Sequence, residues 1–178
     1  MASSPTAPRY TVTARVLHWL IAIAIVGALC VALTFDDMPI SPRKIRLINY
    51  HKWFGLTVLF LLVARAAWRF GHRPPTLPAS MPAWQVRAAH ASHGLLYLLM
   101  LVVPILGWFL SSADGFPITY LGLIPLPSLT AKDKAVAEVL EDAHAVLAWT
   151  LIVVASAHAL AALKHHVVDR DDVLRRML

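Results

Sequence analysis

An all-α bundle of four membrane-spanning helices is the fold class the sequence predicts, and three observations predict it. Of the 178 residues, 58% are apolar and only 15% charged, with a mean hydropathy of +0.64, whereas soluble domains run to about half apolar and a quarter charged. Four stretches, residues 16–35, 48–70, 88–111 and 143–163, each approach the ~20 apolar residues that cross a ~30 Å hydrocarbon layer. Trp19, Trp53, Trp68, Trp84 and Trp108 stand at the edges of these stretches, where amphipathic rings settle at headgroup level. The surplus apolar surface therefore faces a lipid bilayer, which excludes a disordered chain and a water-soluble enzyme. The net charge of +6 comes from basic residues scattered at the ends of apolar stretches, a membrane-topology pattern and not a nucleic-acid patch. Residues 1–178 read as a single integral-membrane domain without internal repeats.

The first stretch follows Arg9 and Arg15 and is longer than the ~7–15 residues of a signal-peptide core, so it reads as a retained helix. Its Cys30 is the single cysteine, which leaves no disulfide framework and no Cys-x-x-Cys-His motif; any cofactor is held non-covalently. The second stretch follows a connection carrying Arg43, Lys44 and Arg46. Between the second and third stretches, residues 71–82 contain four prolines and read as a short extended link. Residues 114–129, with Gly115, Pro117, Gly122, Pro125 and Pro127, form a loop apolar enough to lie on the bundle's outer surface. Thr130 followed by Asp133 reads as an N-cap and capping box for a fourth helix from 131 to about 166, ~54 Å long at 1.5 Å per residue.

Orientation follows from the basic residues. The N-terminus, the second connection and the C-terminus hold ten of the 16 Lys and Arg; the other side holds six, beside seven acids. Cytoplasmic segments carry the excess of Lys and Arg, so both termini are expected in the cytoplasm.

Nine histidines are the most informative feature, because an ionisable side chain inside a span is costly and functional by default. His18 and His158 lie a turn or two inside the cytoplasmic edge, and His51 and His144 lie similarly inside the outer edge. The 14 residues from His144 to His158 correspond to ~21 Å along a helix and ~40° short of four turns, so the two share a face at two depths. A haem standing between helices needs one imidazole from each side. His18 with His158 therefore forms a cytoplasmic-side pair for one haem iron, and His51 with His144 an outer pair for a second. Two axial imidazoles fill the iron's coordination and favour electron transfer.

Gly55, four residues after His51, and Gly94, four after His90, allow a flat macrocycle near the backbone. Arg65, 14 residues after His51, shares its face and suits a haem propionate. A lone histidine of this kind is more often an interhelical hydrogen-bonding residue; it is the four at two matched depths that point to ligation. Zinc or a di-metal site is the chemical rival, weakened by the absence of a carboxylate beside the His18 and His158 layer. His90 and His93 are alternatives to His18 or His158 as ligands; otherwise one of them suits a second ligand such as a quinone carbonyl. His165 and His166 close the fourth helix, where they also suit the helix dipole.

With these residues in view, the chain resembles the bacterial cytochrome b561 family of small four-helix dihaem cytochromes. The resemblance rests on Arg15-Val16-Leu17-His18-Trp19 opening the first span, His51 with Gly55 in the second, and Ala89-His90-Ala91-Ser92-His93 opening the third. His144, His158 and His165-His166 carry it through the fourth. The resemblance implies two b-type haems with bis-histidine ligation, a multi-pass location in the bacterial inner membrane, and electron exchange with ubiquinone. It also implies the activity of full-length relatives that act as superoxide oxidases, oxidising periplasmic superoxide and reducing ubiquinone. Arg43, Lys44, Arg46 and Lys52 cluster near His51 and suit attraction of an anion such as superoxide; the same cations suit lipid headgroups. By resemblance the quinone lies at the cytoplasmic-side haem, with His93 and His165 as head-group partners and Arg87 nearby. A second reading keeps the haems but makes the chain an anchor linking a periplasmic redox partner, a dehydrogenase or hydrogenase, to the quinone pool. A third is a haem-free transporter whose histidines carry metal or protons.

Overall fold

The computed structural model describes residues 9–78 and 81–178. Among them four helices are long and apolar enough to cross a membrane: α1 (Val12–Phe35), α2 (Pro42–Gly71), α3 (Ala83–Ala113) and α4 (Lys134–Lys164). The element order closes with a π-helical turn at His165–Asp169 and a 3₁₀ turn at Arg175–Met177. α1 packs on α2, α2 on α3, and α3 on α4.

Each helix starts earlier than its apolar stretch, because capping chemistry sets helix ends and apolarity sets only spans. Thr11 Oγ1 accepts the Ala14 N–H and starts α1. Ser41 Oγ accepts the Lys44 N–H, with Pro42 in the first turn, where proline's missing N–H costs nothing. Arg43, Lys44 and Arg46 consequently belong to the first turns of α2 and not to a connection. The fourth helix corrects the capping-box expectation. Its N-cap is Asp133, whose carboxylate accepts the Ala135 and Val136 N–H groups, while Thr130 lies outside the helix. Asp133 is held there because its own N–H donates to the Ala113 carbonyl at the end of α3.

Two turn elements close the bundle. At one end the 114–129 loop folds a small hairpin, β1 (Thr119–Tyr120) antiparallel to β2 (Ile124–Pro125). Indole and hydroxyl groups pin it to the helix ends. Trp53 Nε1 donates to the Thr119 carbonyl at 2.8 Å and Trp108 Nε1 to Pro127 at 3.0 Å, while the Thr57 and Tyr120 hydroxyls share a bond of 2.9 Å. Buried Ile118 packs there with Leu56 and Leu59. We call this the hairpin face.

At the other end, the terminal face, the chain beyond α4 returns over α1. Trp19 Nε1 donates to the Met177 carbonyl at 2.9 Å, Arg15 donates to that of Leu178, and the Tyr10 N–H donates to Arg176. α4 does not run out at 166 as a plain α-helix: it widens into the π turn and stops at Arg170, whose φ of 54° is left-handed. Of the proline-containing link, residues 79 and 80 lie outside the described residues.

Between the two faces sits an apolar layer of Ile21, Ala24, Val58, Leu62, Leu99, Met100 and Leu151. α1 and α2 approach closely at Gly27, where a Cβ would lie 2.9 Å from the Phe54 ring, the small-residue contact that favours helix association in lipid. Pro104 is buried inside α3, where its missing N–H leaves the Met100 carbonyl without its usual helical donor.

Candidate functional site

The histidines meet in two layers on either side of this apolar core. Near the hairpin face, His51 of α2 and His144 of α4 have ring centroids 6.0 Å apart. Near the terminal face, His18 of α1 and His158 of α4 have centroids 6.3 Å apart. A metal ion holds an imidazole nitrogen at ~2.0–2.1 Å, and that nitrogen lies ~1.1 Å from its ring centroid, so two imidazoles on opposite sides of one iron have centroids about 6 Å apart. Both pairs have the span that bis-imidazole ligation needs.

The hairpin-face pair is also fixed in tautomer. His51 Nδ1–H donates to the Ala28 carbonyl at 2.9 Å, and His144 Nδ1–H donates to the Val103 carbonyl at 3.0 Å. Each ring therefore presents Nε2 as its free lone pair, the arrangement by which backbone carbonyls orient metal-ligating imidazoles. The Val103 carbonyl lies one helical turn before Gly107, and His144 lies across that glycine, its Cε1 3.0 Å from where a Cβ would stand. Gly107 is what lets the imidazole reach the α3 backbone. At Gly55 a Cβ would meet nothing within 4 Å, which leaves the room beside His51 that a flat ring requires. These residues fit a haem. The Phe35 ring stands edge-on to His51 at 5.8 Å, a second apolar contact on this pair.

The terminal-face layer is larger than a pair. His93 of α3 approaches His158 with centroids 5.2 Å apart, so α1, α3 and α4 each bring one imidazole to it. His90 is exposed on α3. Arg65 of α2 reaches into this layer: its Nη1 donates to the Ala14 carbonyl at 2.5 Å and its Nε to the Tyr97 hydroxyl at 3.2 Å. Ala14 is one turn before His18, and Tyr97 one turn after His93. Tyr97 is a polar group the sequence reading missed; its signal was the four-residue step from His93 along one helix face.

The other candidate residues scatter. His165 begins the π turn, with Nδ1 2.7 Å from Asp171 Oδ2 and 3.0 Å from Asp169 Oδ2. Lys164 Nζ lies 2.6 Å from the same Asp169 oxygen, so this group is a hydrogen-bonded ion-pair network. Among the described residues no hydrogen bond or ring contact joins His165 to His93, and Arg87 is exposed. Of the four cations near the hairpin face, Lys44 Nζ donates to the Asp36 and Met38 carbonyls at 3.2 and 2.8 Å. Lys52 Nζ donates to Phe116 at 3.3 Å, and Arg43 and Arg46 are exposed. Arg43 and Arg46, three apart, share a face of α2, whereas Lys52 lies ~120° around the helix from Arg46 at 100° per residue. The four therefore surround the end of α2 and do not line one face.

The family described as prokaryotic cytochrome b561 matches residues 9–178. The chain is 36% identical to cytochrome b561 homolog 2 of Escherichia coli (strain K12), over all of this chain and 95% of that protein. It is 30% identical to cytochrome b561 homolog 1 of the same organism, over 96% of this chain and 97% of that protein. A probable superoxide oxidase CybB of Yersinia pestis is 29% identical over 91% of each chain.

Proposed function

The chain belongs to the prokaryotic cytochrome b561 family, membrane electron-transfer proteins that bind b-type haem, and from that premise we propose that it oxidises superoxide at its hairpin face and reduces ubiquinone at its terminal face. The observation that carries the reading is the pair of histidine couples at 6.0 and 6.3 Å, one near each face of the bundle. His51 and His144 would hold one haem, His18 and His158 the other. When bound, the two haems supply one-electron redox chemistry at iron. The net reaction takes one electron from each of two superoxide ions, releasing two molecules of oxygen, and places both electrons and two protons on one ubiquinone to give ubiquinol.

The protein's own groups do the rest. Ala28 and Val103 fix the tautomers of the ligating imidazoles. Lys52, adjacent to His51, together with Arg43 and Arg46 raises the local concentration of an anion at the hairpin face. Arg65 would pair a haem carboxylate. His93 and His165, with Arg87 at the edge, are the head-group partners for the quinone at the terminal face. The excess of Lys and Arg on that side supports a cytoplasmic terminal face and a hairpin face outside an inner membrane. The relatedness to a probable superoxide oxidase supports superoxide as the donor.

The test is direct. Purified protein should show sharp reduced b-type bands with about two haems per chain by pyridine haemochrome, and should reduce ubiquinone when given superoxide. Two haems without superoxide consumption, together with co-purification of a dehydrogenase or hydrogenase, would favour the anchor-subunit reading. Absence of haem would overturn both.

A further inference from the structure

Arg65 is placed unusually for a cation in a membrane span. It is partly buried on α2, and among the described residues no carboxylate lies within salt-bridge distance of it. Its guanidinium is fixed from two sides, by the Ala14 carbonyl and the Tyr97 hydroxyl. Its two partners lie one turn from His18 along α1 and one turn from His93 along α3, which sets this fixed charge at the layer of His18, His93 and His158. Arg69 adds a second cation on the same side, its guanidinium 5.8 Å from the Tyr97 ring centroid. The acids at this end, Asp169 and Asp171, are engaged by Lys164 and His165 at the π turn.

The hairpin-face pair differs. Its adjacent cation is Lys52, which is drawn to the Phe116 carbonyl and opposed by the charge of Asp114. Reducing a haem adds one electron, and a fixed positive charge in a low-dielectric span favours that added electron more than it would in water.

We propose that Arg65, held in position by Tyr97, sets the redox polarity of the protein by keeping the terminal-face haem easier to reduce than the hairpin-face haem. Arg65 and Tyr97 are positioning residues: they make electrons settle on the terminal side, whatever the donor. The proposal rests on haem ligation by His18 with His158 and His51 with His144, but not on superoxide or quinone.

The experiment is a potentiometric titration of the full-length protein with both haems bound, in detergent. His158→Ala identifies which wave belongs to which haem. Arg65→Gln should lower the equilibrium constant for reducing the terminal-face haem at least tenfold, about 59 mV for one electron, while the other haem moves by less than a third of that. Arg65→Lys should recover most of the loss. Two bound haems with an unchanged gap in Arg65→Gln would overturn the proposal. Should Arg65→Gln lose its haem, Tyr97→Phe takes over, since it keeps the charge and releases Nε. A fall of threefold or more then supports the proposal and an unchanged gap overturns it. If the unaltered protein fails to bind two bis-histidine haems, the ligation reading itself has failed, an outcome distinct from either result.

Discussion

His144 lies against Gly107: the imidazole Cε1 is 3.0 Å and Nδ1 3.3 Å from the position a Cβ would take, and the same ring donates to the Val103 carbonyl four residues earlier. A methyl group there pushes the ring away from the backbone that orients it. Gly107→Ala is therefore expected to cost the hairpin-face haem selectively, bringing pyridine haemochrome from about two haems per chain toward one, or to shift its spectrum. Gly71→Ala, whose Cβ meets nothing within 4 Å, should leave both haems in place.

Replacing the histidines one at a time should divide them into two groups. Alanine at His51 or His144 removes one haem, and alanine at His18 or His158 removes the other, read by redox titration and haem stoichiometry. His93→Ala should retain both haems and slow ubiquinone reduction. Loss of the terminal-face haem in His93→Ala, with His18→Ala retaining it, would exchange the two assignments, an outcome the 5.2 Å approach of His93 to His158 makes worth measuring.

Helix capping gives a stability prediction independent of cofactors. Asp133→Ala removes a carboxylate that accepts two backbone N–H groups and should cost about 1 kcal/mol, seen as a lower thermal midpoint in detergent. Thr130→Ala lies outside the helix and should change little.

At the hairpin face, Lys52→Gln should lower the second-order rate with superoxide by a few-fold, and the difference should shrink as salt is raised, because steering of an anion is screened. Arg43→Gln with Arg46→Gln should give the same sign with smaller size. A rate unaffected by charge or salt would assign these cations to lipid headgroups.

The four helices and the meeting of His18 with His158 and of His51 with His144 were legible in the sequence, since hydropathy and depth along a span are carried by the side chains themselves. Helix ends were less so. Ser41-Pro42 is a readable start signal that the apolar pattern of α2 conceals, because the six residues 42–47 ahead of the apolar stretch are made helical by capping and not by hydrophobicity. Thr130 and Asp133 are both good cap residues, and the choice between them is made by a tertiary contact, the Asp133 N–H on the Ala113 carbonyl. Gly107 carried no sequence signal at all, since its role depends on a carbonyl shared between its own helix and a ring from α4. Tyr97 had one, its one-turn step from His93, but an aromatic in an apolar helix reads equally as packing.

The layer of Ile21, Ala24, Val58, Leu62, Leu99, Met100 and Leu151 contains no hydroxyl, amide or ionisable side chain. Leu151 lies seven residues from both His144 and His158, midway along α4. Such a layer gives water no partners and a proton no chain of donors and acceptors to hop along. An electron needs neither. The same seven side chains that pack the bundle together thus set an apolar barrier to ions and protons between the two histidine layers.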